Sequence, residues 1–154
     1  RSLSDLSIID VRVFNYFSHT QDMSARFLIT DIVRSIKNNE VFKTSPDNIM
    51  RDFITPPDFY NLIQAIIDFS AINIALDCYT KEPVSKFDLL NELEIKFGLQ
   101  YSIDELYNGI NATGDKMHYY SKNNNAERII YRPKYTSLDG VMNEFLLLQE
   151  SGSF

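Results

Sequence analysis

The stretch MRDFITPPDF, residues 50–59, sets an arginine beside an aspartate and then places an acid after two prolines. Because neighbouring side chains of an extended segment point to opposite faces, Arg51 and Asp52 cannot simply neutralise each other. Arg51 either makes a surface ion pair with an acid such as Asp47 or contacts a ligand. Its planar guanidinium is the preferred partner of phosphate oxygens, and the stretch alone leaves both interpretations open. Asp52, on the other face, is interpreted as structural.

The second half of the same stretch predicts the start of a helix. Thr55 can cap the helix, Pro56 suits its first position, and Asp58 can complete a capping box at the positive helix end. The apolar stripe that follows consists of Leu62, Ile63, Ile66 and Ile67. The segment TPPD is therefore explained without a ligand.

The rest of the chain alternates between predicted strands and helices. Residues 8–14 and 72–78 alternate apolar and polar side chains and are predicted to be strands. Helices are predicted from Ser24 to about Lys37, from Ser85 with Asp88 to Gly98, and from Ser137 to about Leu148. Shorter elements are predicted as strands at 41–44 and 117–121 and as helices within 101–110 and 124–130.

This order is typical of an α/β protein. Two long strands make a poor sheet by themselves. Either they pair with strands outside this chain, or the protein is smaller and more helical than the pattern indicates.

The composition describes a folded protein without a basic surface. The 154 residues are 44% hydrophobic and 13% aromatic, with a formal net charge of −6. This length fits one domain or part of a larger one. An acidic chain without a basic run disfavours electrostatic binding of nucleic acid, and no apolar stretch approaches the roughly 20 residues that span a bilayer. We therefore expect no nucleic-acid partner and no membrane partner.

Two further features concern the compartment and the start of the chain. Cys78 is the single cysteine and cannot form an internal disulfide, which favours a cytoplasmic location. The first ten residues lack a signal-peptide pattern and an initiator methionine, so we expect the N-terminus to be cut.

The residues themselves predict neither a complete catalytic set nor a metal site. His19 and His118 lie far apart in sequence without a second ligand at helical or turn spacing. Cys78 lies on the apolar face of a predicted strand, as a buried inert thiol would. Asn15 follows a strand at its carboxyl end, where open α/β sheets bind ligands. A turn residue that satisfies its own loop backbone is the alternative for Asn15.

Four motifs, taken in order, resemble the C-terminal half of the extended short-chain dehydrogenase/reductases that act on nucleotide sugars. DVRVFNYFS (10–18) resembles the R-x-x-N-x-x-G-P strand end of that family, and MRDFITPPDF (50–59) resembles its R-D-[FYW]-[IL]-x-V-x-D segment. The strand and helix at 72–93 resemble the N-x-x-x-G-x-x-x-S region. Residues 113–144 resemble the closing signature that begins with G-D and ends in S-L-x-x-G.

The resemblance implies a fold, a cofactor and a division of the chain. The fold would be the last strands of a Rossmann-type parallel sheet plus a small α/β substrate-binding domain. Residues 1–18 and 71–98 would be associated with the Rossmann sheet, and residues 19–70 and 99–154 would form mainly the nucleotide-sugar-binding part. The glycine-rich NAD or NADP loop, the Ser/Thr and the Tyr-x-x-x-Lys of the family would all lie upstream, so no catalytic residue is expected in this chain.

The resemblance also implies site residues. Phe14 would border the nicotinamide end of the cofactor. Asn15 and Arg51 would bind the substrate diphosphate, and Phe53 would lie close to the substrate. The remaining implied positions are Val41 and Phe42, on a strand near the nucleotide base, and Asp115, a ribose contact.

The chain departs from the family pattern at several positions. Ser18 and His19 replace the G-P after the asparagine, and Ile130 and Tyr131 replace the L-G before the aromatic position. No arginine precedes the G-D, because residues 111–113 are Asn-Ala-Thr. Lys116 is our hypothesis for a point charge that substitutes for that arginine.

The prediction for function follows from this resemblance. The parent protein is expected to be an NAD(P)-dependent nucleotide-sugar epimerase or dehydratase, in which this chain positions the substrate diphosphate. The chain alone is expected to be inactive, and the parent is expected to be a homodimer. The alternatives are a non-catalytic protein-interaction domain and a relative that keeps the fold without the chemistry.

Overall fold

The computed structural model describes residues 7–70, 72–107 and 116–152. Its α-helices are α1 (Leu28–Asn38), α2 (Pro56–Asp68), α3 (Lys86–Phe97) and α4 (Ser137–Glu150), with a 3-10 helix at Asn125–Ile129. The strands are β1 (Ile9–Arg12), β2 (Asn15–Tyr16), β3 (Phe42–Thr44), β4 (Met50–Arg51), β5 (Phe53–Ile54), β6 (Ile74–Asp77), β7 (Val84–Ser85), β8 (Tyr101–Ile103) and β9 (His118–Tyr119). The predicted α/β class is confirmed.

The two strands with the clearest alternation pair with each other. β1 and β6 run parallel, with Ile9 opposite Ile74 and Arg12 opposite Asp77. Both strands are shorter than predicted, at 4 residues each. Within the described ranges this sheet has two strands.

The remaining described strands form small sheets that pair segments distant in sequence. β2 pairs in parallel with β5, and β3 pairs in parallel with β8. β4 lies between β7, which is antiparallel to it, and β9, which is parallel. Residues 101–103 are therefore a strand, and the helix predicted within 101–110 is wrong for them because β3 offers a pairing edge that the local pattern cannot show.

Two helix starts differ from the prediction because the predicted cap residues have other partners. The hydroxyl of Ser24 donates to Asp22, and α1 begins four residues later than Ser24, after Phe27. Thr136, not Ser137, caps α4 by accepting a hydrogen bond from the backbone N–H of Asp139 at 3.1 Å.

The starts of α2 and α3 agree better with the sequence. α3 begins after Ser85, whose hydroxyl accepts from the backbone N–H of Asp88, and it ends at Gly98 in the left-handed conformation, as predicted. α2 begins at Pro56 after Thr55, but Thr55 makes no side-chain cap hydrogen bond. The carboxylate of Asp58 accepts instead from two backbone N–H groups of the segment before α4, so the predicted capping box is wrong.

The buried apolar residues form two clusters. In one, Leu62 of α2 packs with Leu76 of β6 and Ile129 of the 3-10 helix. In the other, Leu89 of α3 packs with Ile32 of α1 and with residues of α4. α2 thus shares a core with the parallel pair β1–β6, whereas α3 shares a core with α1.

A close approach joins α4 to the end of β5. A Cβ atom at Gly140 would lie 2.9 Å from the hydroxyl oxygen of Thr55 and 3.1 Å from its methyl carbon. Both distances are shorter than ordinary van der Waals contact, so α4 can pack at this distance because residue 140 has no side chain.

Asp52 ties three segments of the chain together. It is 4% exposed, and its carboxylate accepts hydrogen bonds from the Thr80 hydroxyl at 2.6 Å, the Thr80 backbone N–H at 3.2 Å and the Ser137 hydroxyl at 2.8 Å. Ser137 in turn accepts from the backbone N–H of Phe53 at 2.7 Å. The structural role predicted for Asp52 is confirmed.

None of the described helices is long and apolar enough to cross a membrane.

Replacing Asp52 is expected to destabilise the protein. Asp52→Ala leaves the Thr80 N–H and the Ser137 hydroxyl without their acceptor, while the Thr80 hydroxyl can still donate to the Glu82 backbone oxygen at 2.9 Å. A hydrogen bond to a charged group contributes about 1.5–3 kcal/mol. We expect a loss of about 3 kcal/mol in the free energy of unfolding, measured by urea denaturation. Glu94→Ala, on the exposed face of α3, is the control. Equal midpoints for the two variants would contradict the role of Asp52.

Cys78 is expected to be unreactive in the folded protein. Burial, reinforced by Asp52, Asp58 and Asp77, raises the pKa of the Cys78 thiol from 9.0 to about 12. The stability that this gives is present below the unfolded pKa and is lost as the pH rises towards about 12. At pH 8 we expect iodoacetamide to modify the urea-unfolded chain much faster than the folded chain, by mass spectrometry. Equal rates would show that the thiol is accessible.

Candidate functional site

A cavity of about 830 Å³ opens beside the small sheets, where β1 and the parallel pair β2–β5 end. We call it the cleft. Its wall includes Val13, Phe14, Asn15, Tyr16, Asp22, Asp31, Phe42, Thr44, Ser45, Asp47, Ile49, Arg51, Phe53, Lys86, Tyr107, Lys116 and Tyr119. The volume lies within the range of about 300–1,000 Å³ that is typical of small-molecule sites.

Asn15 reaches the cleft from the first residue of β2. It pairs with Phe53 of β5, and its side-chain nitrogen donates to the backbone oxygen of Asp52 at 3.2 Å. This bond reaches a segment distant in sequence, so Asn15 does not serve only its own loop. It holds the amide in one orientation, with the amide oxygen unbonded among the described residues.

Arg51 reaches the cleft from the last residue of β4. It is 4% exposed, so its side chain is buried in the cleft wall and does not lie on the protein surface. Its Nη1 donates to the backbone oxygens of Met50 at 2.8 Å and Met117 at 3.4 Å. Burial lowers the pKa of the Arg51 guanidinium, although arginine stays charged at neutral pH. The result is a fixed positive charge in the cleft wall.

Phe14, Tyr119 and Lys116 form a stack on one side of the cleft. The rings of Phe14 and Tyr119 meet edge to face, with centroids 5.2 Å apart. The ammonium of Lys116 lies 4.5 Å from the centre of the Tyr119 ring. Tyr119 is also the β9 neighbour of Arg51, so the stack lies next to the buried cation.

The other predicted site residues divide into three groups. Phe42 and Phe53 are buried and line the cleft. Val41 is 49% exposed and is not among the lining residues. Asp115 lies outside the described residues. The structure thus brings Phe14, Asn15, Phe42, Arg51, Phe53 and Lys116 to one cavity, while their binding roles stay predictions.

Sequence reasoning did not single out Lys86, Tyr107 or Tyr119, which also line the cleft. Lys86 stands in the first turn of a helix, where a lysine is normally exposed, and the sequence carries no sign of its burial. Tyr119 lies in a segment predicted as a strand. The strand pattern places Tyr119 and His118 on opposite faces, and this was the available signal that Tyr119 points inward.

The departure at Ser18 and His19 has a structural counterpart. Glu144 of α4 is buried, and its Oε2 accepts from the backbone N–H of His19 at 2.8 Å and contacts His19 Nδ1 at 2.7 Å. Ser18 is buried and its hydroxyl contacts that of Thr20 at 2.9 Å. These contacts to α4 and within the loop fix the path of the segment after Asn15.

The chemistry available in the cleft is binding and orientation. Its charged wall residues are Arg51, Lys86, Lys116, Asp22, Asp31 and Asp47. Among the described residues, no group of three or more His, Cys, Asp or Glu side chains is placed to hold a metal ion. Two buried cations, an oriented amide and aromatic walls suit an anionic ligand with a ring system.

Solved structures share this arrangement of helices and strands. UDP-glucuronic acid 4-epimerase from Bacillus cereus, in complex with UDP-glucuronic acid and NAD, matches with a TM-score of 0.76 and 16% identity over 94% of this chain and 46% of that chain. UDP-glucose 4-epimerase from Thermotoga maritima, with UDP-glucose, matches with a TM-score of 0.74 and 13% identity over 93% and 46%. dTDP-glucose 4,6-dehydratase from Bacillus anthracis, in complex with NAD, matches with a TM-score of 0.70 and 14% identity over 95% and 46%.

No family model and no curated protein matches the chain in sequence. The chain spans about half the length of the solved structures that it matches. The resemblance predicted from the motifs is confirmed as a likeness of fold: this chain has the α/β fold of about half of these two epimerases and the dehydratase.

Proposed function

We propose that this chain is the substrate-binding part of an NAD(P)-dependent nucleotide-sugar epimerase or dehydratase and positions the substrate diphosphate. The observation that carries the proposal is the buried Arg51 guanidinium in the wall of the cleft, beside the oriented amide of Asn15. The solved structures of two enzymes with the same fold are complexes with UDP-sugars.

The contacts of Arg51 support a clamp on phosphate. Backbone carbonyls hold Nη1 in place, so little side-chain freedom is lost when an anion binds. A guanidinium can donate two parallel hydrogen bonds to phosphoryl oxygens, and the Asn15 amide can add a polar contact on the same wall. Binding energy gained at the diphosphate, away from the reacting carbon, orients the sugar ring for the chemistry.

The cofactor is proposed to approach the cleft at Phe14. The Phe14 ring lies in the wall and is fixed edge to face by Tyr119, which suits a flat apolar neighbour such as a nicotinamide ring. NAD or NADP, when bound, accepts and returns a hydride. The residues of this chain contribute only the wall against which that ring rests, and we place the general base and the dinucleotide loop in the rest of the parent protein.

Further parts of the prediction stay predictions. They are the division into residues 1–18 with 71–98 and residues 19–70 with 99–154, the homodimeric parent, the cytoplasmic location, and the lack of nucleic-acid and membrane partners. The substrate roles of Val41 and Asp115 have the same status.

Replacing Arg51 is expected to weaken binding of a nucleotide sugar. Arg51→Met removes the charge-assisted hydrogen bonds and keeps an apolar stem, so we expect the dissociation constant for UDP-glucose, UDP-glucuronic acid or dTDP-glucose to rise about tenfold or more. Isothermal titration calorimetry measures this constant for the 154-residue chain.

Arg128→Met is the matched control, because Arg128 is exposed on the 3-10 helix and lies outside the cleft. A wild-type chain that binds none of the three nucleotide sugars would contradict the proposed function and favour the protein-interaction alternative. An unchanged constant in Arg51→Met would remove Arg51 from the site.

The chain alone is expected to have no turnover. We place the dinucleotide-binding loop and the general base in the rest of the parent protein. The chain mixed with NAD or NADP and any of these nucleotide sugars should therefore give no absorbance change at 340 nm. Chromatography should show no epimerised or dehydrated product. Cofactor-dependent turnover would refute this assignment of parts.

A further inference from the structure

Lys86 is a buried ammonium in the wall of the cleft. It is 3% exposed, and its Nζ donates to the backbone oxygen of Ser45 at 2.6 Å and contacts the Ser45 hydroxyl at 3.4 Å. The same nitrogen lies 4.8 Å from the centre of the Phe87 ring. Both hydrogen-bond partners are neutral, and in the described part of the chain no carboxylate lies within 4.0 Å of Nζ.

The register of the small sheet places the backbone of Lys86 near that of Arg51. Arg51 pairs with Val84 and Met50 pairs with Ser85, and the backbone N–H of Lys86 continues the ladder by donating to the oxygen of Ile49 at 2.8 Å. Lys86 is the first residue of α3, directly after β7, so this hydrogen bond places its backbone opposite Ile49 and diagonally across from Arg51.

The lining of the cleft agrees with this register. Arg51 and Lys86 both line the cavity, together with Ile49, whereas Met50 and Ser85 are not among its lining residues; Val84, opposite Arg51, is buried in the core. Diagonal neighbours on one face are separated by about 7–8 Å between Cα atoms, within reach of long side chains. The two cations can therefore contact one ligand.

Burial gives the ammonium an unfavourable environment that an anion would relieve. Desolvation lowers the pKa of Lys86, and Asp47 opposes this effect in part. A buried charge without a close counter-charge is costly unless something pairs with it. A diphosphate carries negative charge on two adjacent phosphoryl groups, so one ligand can pair with Lys86 and also contact Arg51.

We propose that Lys86 is a second binding residue for the substrate diphosphate and contacts phosphoryl oxygens opposite Arg51. The inference rests on the proposed function and extends it from one cation to two. Arg51 supplies a planar fork and Lys86 a point charge tied to the Ser45 loop, so the cleft selects a nucleoside diphosphate over the bare nucleoside.

The first experiment compares ligands with and without the diphosphate. Isothermal titration calorimetry on the 154-residue chain measures binding of UDP and of uridine, with dTDP and thymidine as the second pair, to the wild type and to Lys86→Met. We expect Lys86→Met to weaken diphosphate binding by about tenfold or more and to leave nucleoside binding unchanged. Lys43→Met is the matched control, because Lys43 is exposed on β3 between two lining residues.

A structural role for Lys86 gives a different result. If Lys86 only holds the Ser45 loop in place, the substitution weakens binding of the nucleoside and of the nucleoside diphosphate by the same factor, and the proposal is overturned. Unchanged binding of both ligands overturns it as well.

The second experiment needs no substitution and no nucleotide. In the 13C-labelled wild-type chain, inorganic pyrophosphate is expected to shift the Cε–Hε resonance of Lys86 in heteronuclear NMR spectra and to leave that of Lys43 in place. If the wild type binds neither UDP nor dTDP, the proposed function fails, and a Lys86 shift with pyrophosphate still supports the anion contact. Absence of that shift overturns the contact itself.

Discussion

The carboxylate of Asp52 is the interaction on which the rest of the site depends. It accepts hydrogen bonds from the segment after β6 and from the first turn of α4, and both meet at Asp52, between β4 with Arg51 and β5 with Phe53. These segments are far apart in sequence, so their mutual position rests on tertiary contacts. Because Arg51 precedes Asp52 on an extended backbone, one residue of the pair points into the cleft while the other anchors the strand behind it.

The wall of the cleft combines buried cationic side chains with aromatic rings. Arg51 and Lys86 both donate to backbone carbonyl oxygens, and these hydrogen bonds orient the two side chains in the wall of the cleft. Aromatic rings cover the neighbouring wall at Phe14 and Tyr119. Such an arrangement binds an anion with little reorganisation, because the protein bears the cost of burying the cations when it folds.

Sequence reasoning succeeded where the controlling contacts are local. The strands β1 and β6 and the cap at each end of α3 depend on residues within one turn or strand; the caps agree with the structure, and the two strands are present although shorter than predicted. It also ranked Arg51 and Asn15 as candidates, because four motifs in order constrain more than each motif separately. The solved structures reported above share the fold at 13–16% identity, a level at which the fold remains recognisable and single residue roles do not.

The failures share one physical reason, which is a partner distant in sequence. Ser137 resembles a helix cap, yet its hydroxyl donates to Asp52. Residues 101–103 form a strand because β3 pairs with them. Lys86 has the pattern of an exposed first-turn lysine, and only its pairing opposite Ile49 turns it inward. The local sequence pattern around a residue cannot predict contacts with residues that are distant in sequence.

Gly140 shows how finely the wall of the cleft is positioned. The missing Cβ lets α4 approach Thr55, and Ser137 in the first turn of the same helix holds the N–H of Phe53. A Cβ atom at position 140 would push α4 away from the Thr55 side chain at the end of β5. A residue that does not line the cavity thus takes part in positioning Phe53, which does.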